Sequence, residues 1–418
     1  MIGGVFLRFL ATRYHKTFEV KELTEDDFEL VGKLLIENRL DEAFSKLLSL
    51  FSDENFETRA SAVWVVDSSA ERFPQMVEKF LPRILFLALS DESTFVRANA
   101  MEVLGLLSLR FPEHLRKLTP VILESLESTD IDYVWNTILV LGWIGGNNPE
   151  IIRDLVPHLV KHLDSTNEMM RGTSVLAMGW IGSSNPELVR DFIPDLVKLA
   201  EDDPLVYVRS NATEALVSIA HKQPEIIENF VSDIALISVK DPDSLVRGSA
   251  EEALILLTKE KVELVPEIVA SIFRVVKEKV EDVSWNAVLS LGWLGTSNSK
   301  TIDVILTNLR ELLNSDNEEV RVTATLSIGW IAGNNPKGAQ PFLEELTQDL
   351  MKLLDDKNAT IRKKGVEALG WIIGNSPQIA ATIIPKIKSM ASMDEDKAVR
   401  EIAESTLRFI SNNIRQSG

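Results

Sequence analysis

Residues Val134 to Pro186 recur 150 residues further on as Ser284 to Pro336, and nothing else in the chain constrains its fold as much. Trp135, Trp143, Trp180 and Pro186 return as Trp285, Trp293, Trp330 and Pro336. Eight of the fifteen residues from Trp135 to Pro149 are identical in the second copy, too many at one offset for chance. A chain built from copies is read by its smallest unit. An Arg, after an apolar residue in every case but Thr58, opens an apolar-periodic run at Arg59, Arg97, Arg171, Arg209, Arg247, Arg321, Arg362 and Arg400. Val134 and Ser284 hold the same place without the Arg. These ten Arg positions lie 37 or 38 residues apart, with one spacing of 41 between Arg321 and Arg362. Four units make the 150-residue copy.

A repeat array escapes the usual division of 418 residues into two or three domains, because each unit packs only on its neighbours. The chain is 45% hydrophobic, enough for a substantial core. Its net charge of −19 counts against nucleic acid, whose phosphates need clustered Lys and Arg. That charge suits a soluble protein and a partner with basic segments. No cysteine is present, so disulfides and thiolate chemistry are excluded and a reducing, cytoplasmic setting is expected. Residues 1–23 read as an N-terminal extension packed on the first helices: Arg8, Arg13 and Lys16 stand among apolar residues, in a stretch too short to span a membrane.

Thr24 and Asp27 resemble a capping box, and Phe28, Val31, Leu34 and Leu35 follow at helical spacing, which predicts a capping helix over 25–37. Asp41 to Phe51 is the first helix of the first unit. From there each unit reads as helix A, a turn rich in Asp, Asn and Ser, and helix B beginning near the Arg position. A second proline follows the first by eight residues in Pro74/Pro82, Pro112/Pro120, Pro149/Pro157, Pro186/Pro194 and Pro377/Pro385. Proline inside a helix removes a hydrogen bond, so its return at one phase predicts a bend in helix A. No stretch alternates with the period of a strand. The reading is all-α: about ten helix pairs stacked over residues 24–418 into a right-handed α-α superhelix behind an N-terminal capping helix.

An Asp six residues before the Arg (Asp53/Arg59, Asp91/Arg97, Asp203/Arg209, Asp241/Arg247, Asp356/Arg362, Asp394/Arg400), together with the helix-A proline, resembles the HEAT-repeat family over roughly residues 40–415. The resemblance implies a ladder of Asp–Arg contacts between neighbouring repeats. It is similar to adaptin and importin-β arrays too, and it implies that the side of helix B away from its core lines a concave surface. The family hosts scaffolds, transport receptors, coat adaptors and some enzymes, so it bears on fold more than function.

Helical phase, about 100° per residue, sorts the remaining residues. Positions three, six, seven and ten after the Arg position are apolar or small, as in Ala100, Val103, Leu104 and Leu107 or Ala212, Ala215, Leu216 and Ile219, and should face helix A. Trp143, Trp180, Trp293, Trp330 and Trp371, nine after, should lie on a flank packed against the next repeat. Trp135 and Trp285, one after, should point away from the core and be more exposed than the others. Ile138, Leu139, Val175, Leu176, Val288, Leu289 and Leu326 share that side with Asn136 and Asn286, and Glu214, Glu251 and Glu252 stand between the two apolar stretches. Exposed apolar patches and Trp mark binding sites, so these residues form the predicted partner-binding surface for a protein or peptide. The Trp-plus-Asn pattern is similar to the peptide groove of armadillo importins, but Trp135 and Asn136 are adjacent, and an extended nuclear-localisation peptide is not expected.

Catalysis finds little support in the sequence. His15, His114, His158, His162 and His221 form no His-Glu pair of the kind that HEAT-like hydroxylases use for iron. HEAT-like DNA glycosylases use a basic surface, and the charge here has the opposite sign. Asp154, His158 and His162 fall on one stripe of helix A, where such residues are ordinarily plain surface. No phosphate-cradling Gly loop, nucleophile elbow or HExxH is present. The expected protein is a non-enzymatic scaffold or adaptor without cofactor or metal, with a transport- or coat-type adaptor as the alternative.

Overall fold

A computed structural model of the chain describes residues 25–278, 283–296 and 299–416, and every regular element among them is a helix. The expectation for residues 1–23 lies outside the described residues. Contacts group the chain into two compact units, Met1–His114 and Leu115–Gly418.

The turn before helix B explains why the helices start where they do. Its first residue, Asp or Ser, accepts the backbone N–H two residues on, as Asp53 does from Asn55, Ser165 from Asn167 and Asp241 from Asp243. That second residue is the N-cap: Asn55, Asn167 and Asp243 accept from Glu57, Met169 and Leu245, satisfying donors that the first turn leaves open. Helix B then runs for 17 residues in Thr94–Arg110, Ile131–Asn147, Glu168–Ser184, Val206–Lys222, Ser244–Glu260, Glu318–Asn334 and Ala359–Asn375. Each of these begins three residues before its Arg position, as do Phe56–Ser69 and Lys397–Gln416; the helix that holds Ser284 is Val283–Thr296.

Helix A varies more. The second proline of the pair often begins an α-helix rather than bending one: Pro157 and Pro194 sit in the first turns of Val156–Val160 and Ile193–Asp202, after short 3-10 pieces. That position tolerates proline because its N–H has no intrahelical acceptor. Pro82 and Pro385 lie inside the continuous helices Pro74–Ser90 and Ala380–Met393. The proline-free Ser299–Leu312 is unbroken.

In the first unit the capping helix Glu25–Ile36 turns Val31, Leu34 and Leu35 inward, and Leu40–Leu50 opens the repeats. Phe44 and Phe51 meet Phe80 at ring-centroid distances of 5.6 and 5.4 Å. In the second unit, B helices lie side by side in one layer and A helices in another.

The ladder forms where the residues allow it. Arg59, Arg171, Arg209 and Arg362 each reach forward 32 residues with two nitrogens on Asp91, Asp203, Asp241 and Asp394. Each also donates to the carbonyl six residues earlier, tying its own turn to the next repeat. Arg97 and Arg247 reach the Asp91 and Asp241 carbonyls in their own turns. In the sequence, the places that hold the ladder Asp in other repeats are Ser128 and Glu278 after these two. Arg321 holds the Ser315 carbonyl while its Nε is buried without an acceptor, since the longer spacing moves Asp356 out of reach.

Candidate functional site

The predicted core face is where phase puts it: Ala212, Ala215, Leu216 and Ile219 are buried against helix A, as are Ala100, Val103, Leu104 and Leu107. The side of helix B expected to be open is largely covered. Ile138, Val175 and Val288 are wholly buried, Leu139 and Leu326 nearly so, and Asn136 is 5% exposed. These residues do not line a free surface. They form the flank on which the next repeat packs.

Close approach of the backbones is the cause. The position eight after the Arg is glycine in Gly142, Gly179, Gly292 and Gly329. A Cβ there would stand 2.9 Å from the Ala177 Cα at Gly142 and 2.6 Å from the Ala368 Cα at Gly329. Without side chains at these points, neighbouring B helices close over positions one, four and eight. Trp135 accordingly donates from Nε1 to the Thr173 hydroxyl of the next helix at 2.7 Å, and Asn211 reaches back to the Gly172 carbonyl at 3.1 Å.

Water meets helix B about a quarter turn away, at positions two before and nine after the Arg position, and at positions two and five only in some repeats: Glu214 and Glu252 are exposed, whereas Asn136, Leu139 and Leu326 are closed off. Trp143, Trp180, Trp330 and Trp371 pack on the neighbouring repeat as expected but are only part-buried, reaching the solvent stripe, and Trp293 stands on that stripe. Trp293 is 58% exposed and Trp285 44%, whereas Trp135 is as part-buried as Trp143 and Trp180. The expected excess exposure of Trp135 is absent, and Trp293 exceeds Trp285. Trp143 and Trp180 meet edge to face at 5.6 Å; Trp330 meets Trp285 at 6.2 Å and Trp371 at 5.8 Å. Leu176, Leu289 and Asn286 remain part-exposed, and Met169 and Tyr207 add exposed apolar area that the phase argument missed. The glycines at position eight, which also include Gly105 and Gly370, were the available signal, because a recurring glycine inside a helix marks close packing on its side.

Between the aromatic groups, Glu214 and Glu252 are exposed and Glu251 is half-buried. Burial pushes the Glu251 carboxyl up to about 7, against the opposing pull of Arg247. Burial, and then the charge of Glu252, raises Glu214. His221 Nε2 lies 3.2 Å from Glu252 Oε1.

Asp154, His158 and His162 do not share a helical stripe, because the segment is split into 3-10, α and 3-10 pieces. Among the described residues no group of three His, Cys, Asp or Glu is placed to hold a metal ion, and no helix is long and apolar enough to cross a membrane.

Residues 119–217 and 309–408 match the family model of HEAT repeats. Among solved structures, Kap95p in its complex with RanGDP is 16% identical over 88% of this chain and 52% of that one, with a TM-score of 0.50. The karyopherin Kap121p bound to the extreme C-terminus of the protein phosphatase Cdc14p is 14% identical over 88% and 42%, with a TM-score of 0.51. Importin beta is 13% identical over 94% and 54%, with a TM-score of 0.50. The chain spans about half the length of these structures, and at such identities the likeness concerns the fold alone. No curated protein matches the sequence. The two matched stretches are HEAT repeats, and every regular element among the described residues is helical, as in these helical-repeat folds.

Proposed function

We propose that this chain is a non-enzymatic protein-binding scaffold that takes a partner segment on the solvent stripe of its B helices. The observation that carries the reading is the run of part-exposed tryptophans on successive B helices, with Trp285 and Trp293 the most open. Trp anchors supply large contact area at low entropic cost and dominate binding hot spots. Glu214 and Glu252, exposed between the aromatic groups, favour a partner with Lys or Arg in its central part. Kap95p holding RanGDP and Kap121p holding a phosphatase terminus are instances of this fold used for protein binding.

The test is capture of partners by the purified chain from native lysate, quantified by mass spectrometry. Trp285→Ala with Trp293→Ala should abolish specific capture while circular dichroism stays unchanged. Glu214→Gln with Glu252→Gln should weaken it most at low salt, since screening acts on exposed charge. Wild-type capture by the double Trp variant would sink the reading.

A further inference from the structure

The layer of B helices has one opening within Leu115–Gly418. Glu168–Ser184 packs along its length on Val206–Lys222, but Ser244–Glu260 and Val283–Thr296, the sixth and seventh B helices, touch at few points. The A layer continues past this place, from Val231–Lys240 to Val265–Val276 and on to Ser299–Leu312. The seventh B helix leans onto the A helix of the repeat before it: Asn286 donates to the Val239 carbonyl at 2.9 Å, and the Ser290 hydroxyl lies 3.1 Å from that of Ser238. The opening coincides with the seam between the two sequence copies.

The flank left uncovered carries Gly248, Glu251 and Ile255, one, four and eight after Arg247. A Cβ on Gly248 would meet nothing within 4 Å, whereas the equivalent Gly172 lies beneath the Tyr207 ring. At the fourth position Ile138, Val175, Thr213, Val288, Thr325 and Val366 are all fully buried by the next helix. Glu251 is half-buried there and has no ion-pair or hydrogen-bond partner among the described residues.

The B helix Lys397–Gln416 places Glu401, Glu404 and Arg408 at the same three positions, an exposed and wholly charged flank. Gly248 and Ile255 make a different surface. The sixth repeat keeps a small residue and an apolar one, the surface that elsewhere seats a helix, and adds one carboxyl.

We propose that the gap between the B helices of the sixth and seventh repeats is a docking slot for an amphipathic helix of a protein partner, which sets a Lys or Arg against Glu251 and apolar side chains against Gly248 and Ile255. The slot rests on the reading that this face binds protein, but on residues distinct from the tryptophan stripe. Glu252 and Glu214 near its mouth add charge of the complementary sign. An incoming cation would also relieve the half-buried Glu251 carboxyl, which has no ion-pair partner among the described residues.

A suitable probe is a labelled synthetic peptide of residues 206–222 carrying Asn211→Lys. In the protein that helix seats Tyr207 and Asn211 on Gly172, so the lysine would stand one turn from Glu251 in the slot. Binding to the full chain is read by fluorescence anisotropy. Glu251→Gln should weaken it about tenfold, the size of a lost charge-assisted hydrogen bond. Gly248→Trp, whose Cβ meets nothing within 4 Å and whose indole would occupy the slot, should abolish it with helix content unchanged. Absence of binding at about millimolar peptide, or binding indifferent to both variants, overturns the slot. Peptide binding that survives Gly248→Trp but is lost in Trp143→Ala with Trp180→Ala overturns the slot and leaves the stripe standing. If Trp variants retain partner capture while the slot variants behave as described, the stripe falls instead.

Discussion

The two copies of the duplicated segment, residues 131–184 and 283–334, share three tryptophans and the glycines Gly142, Gly145 and Gly179 (Gly292, Gly295 and Gly329) but not their surroundings. In the first copy Arg171 finds Asp203 in the next turn, and Trp135 finds the Thr173 hydroxyl. In the second, Arg321 faces a turn displaced by the longer spacing, and the matching Thr323 hydroxyl is buried without a partner. Trp285, the counterpart of Trp135, is 44% exposed and packs beside Trp330. A repeat motif sets which atoms are offered; the neighbouring repeat sets which are used. The first copy is accordingly the more cross-tied of the two, and the second the more open.

The sharpest test of that contrast is the carboxylate after each copy. Asp203 takes both Arg171 and a turn N–H, and its side chain is 3% exposed, so Asp203→Ala should cost about 3–5 kcal/mol by stranding a guanidinium. Asp356 accepts only the Asn358 N–H with its side chain, and Asp356→Ala should cost about 1 kcal/mol. Chemical denaturation of the two variants decides it; equal losses would mean that the ladder adds nothing to the first copy.

Glycine substitution reads the packing distance directly. Gly329→Ala places a Cβ 2.6 Å from the Ala368 Cα and should destabilise by about 3 kcal/mol. At the same place in the first copy the Ala215 Cα is 3.1 Å away, and Gly179→Ala should cost about 1 kcal/mol. The reverse order of midpoints would show the second copy able to relax at this contact.

Glu251, between the two copies, carries a carboxyl held protonated to about pH 7, while the unfolded chain releases that proton near its ordinary value of 4.5. The folded state binds more protons between those values, so stability falls as pH rises through that window. Glu251→Gln should therefore be more stable than the parent by about 2 kcal/mol at pH 8 and equal to it at pH 4. A constant difference across that range would show the carboxyl to be solvated.

The smallest effect separates the paired tryptophans. Trp135→Phe loses the hydrogen bond to Thr173 and should cost about 1 kcal/mol, while Trp285→Phe should stay within about 0.5 kcal/mol. Acrylamide quenching of variants retaining one of these indoles should rank Trp285 above Trp135.

Much of this was legible in the chain. The return of Arg59, Arg97 and their equivalents placed the B helices, and the Asp or Ser two residues before each N-cap explains their starts. Positions three, six, seven and ten after the Arg face helix A as phase requires. The binding surface was legible only in part. Phase separates the core face from the rest of the helix, but it cannot tell a covered flank from an open stripe. Ile138, Val175 and Leu326 were therefore assigned to a surface they do not share, and Trp293 to an interface that leaves it 58% exposed.

The sequence by itself determined the B helices, their starts and the face each turns to helix A, because these depend on hydrogen bonds and apolar spacing within a turn or two of chain. Tertiary structure alone decided which side of helix B meets water. That depends on how near the next helix comes, and the distance is set at points such as Gly142 against Trp180 and Ala177. It also decided that Glu251 stands in a gap rather than beneath a neighbour, because the seventh B helix takes hold of the Val239 carbonyl and moves away from the sixth.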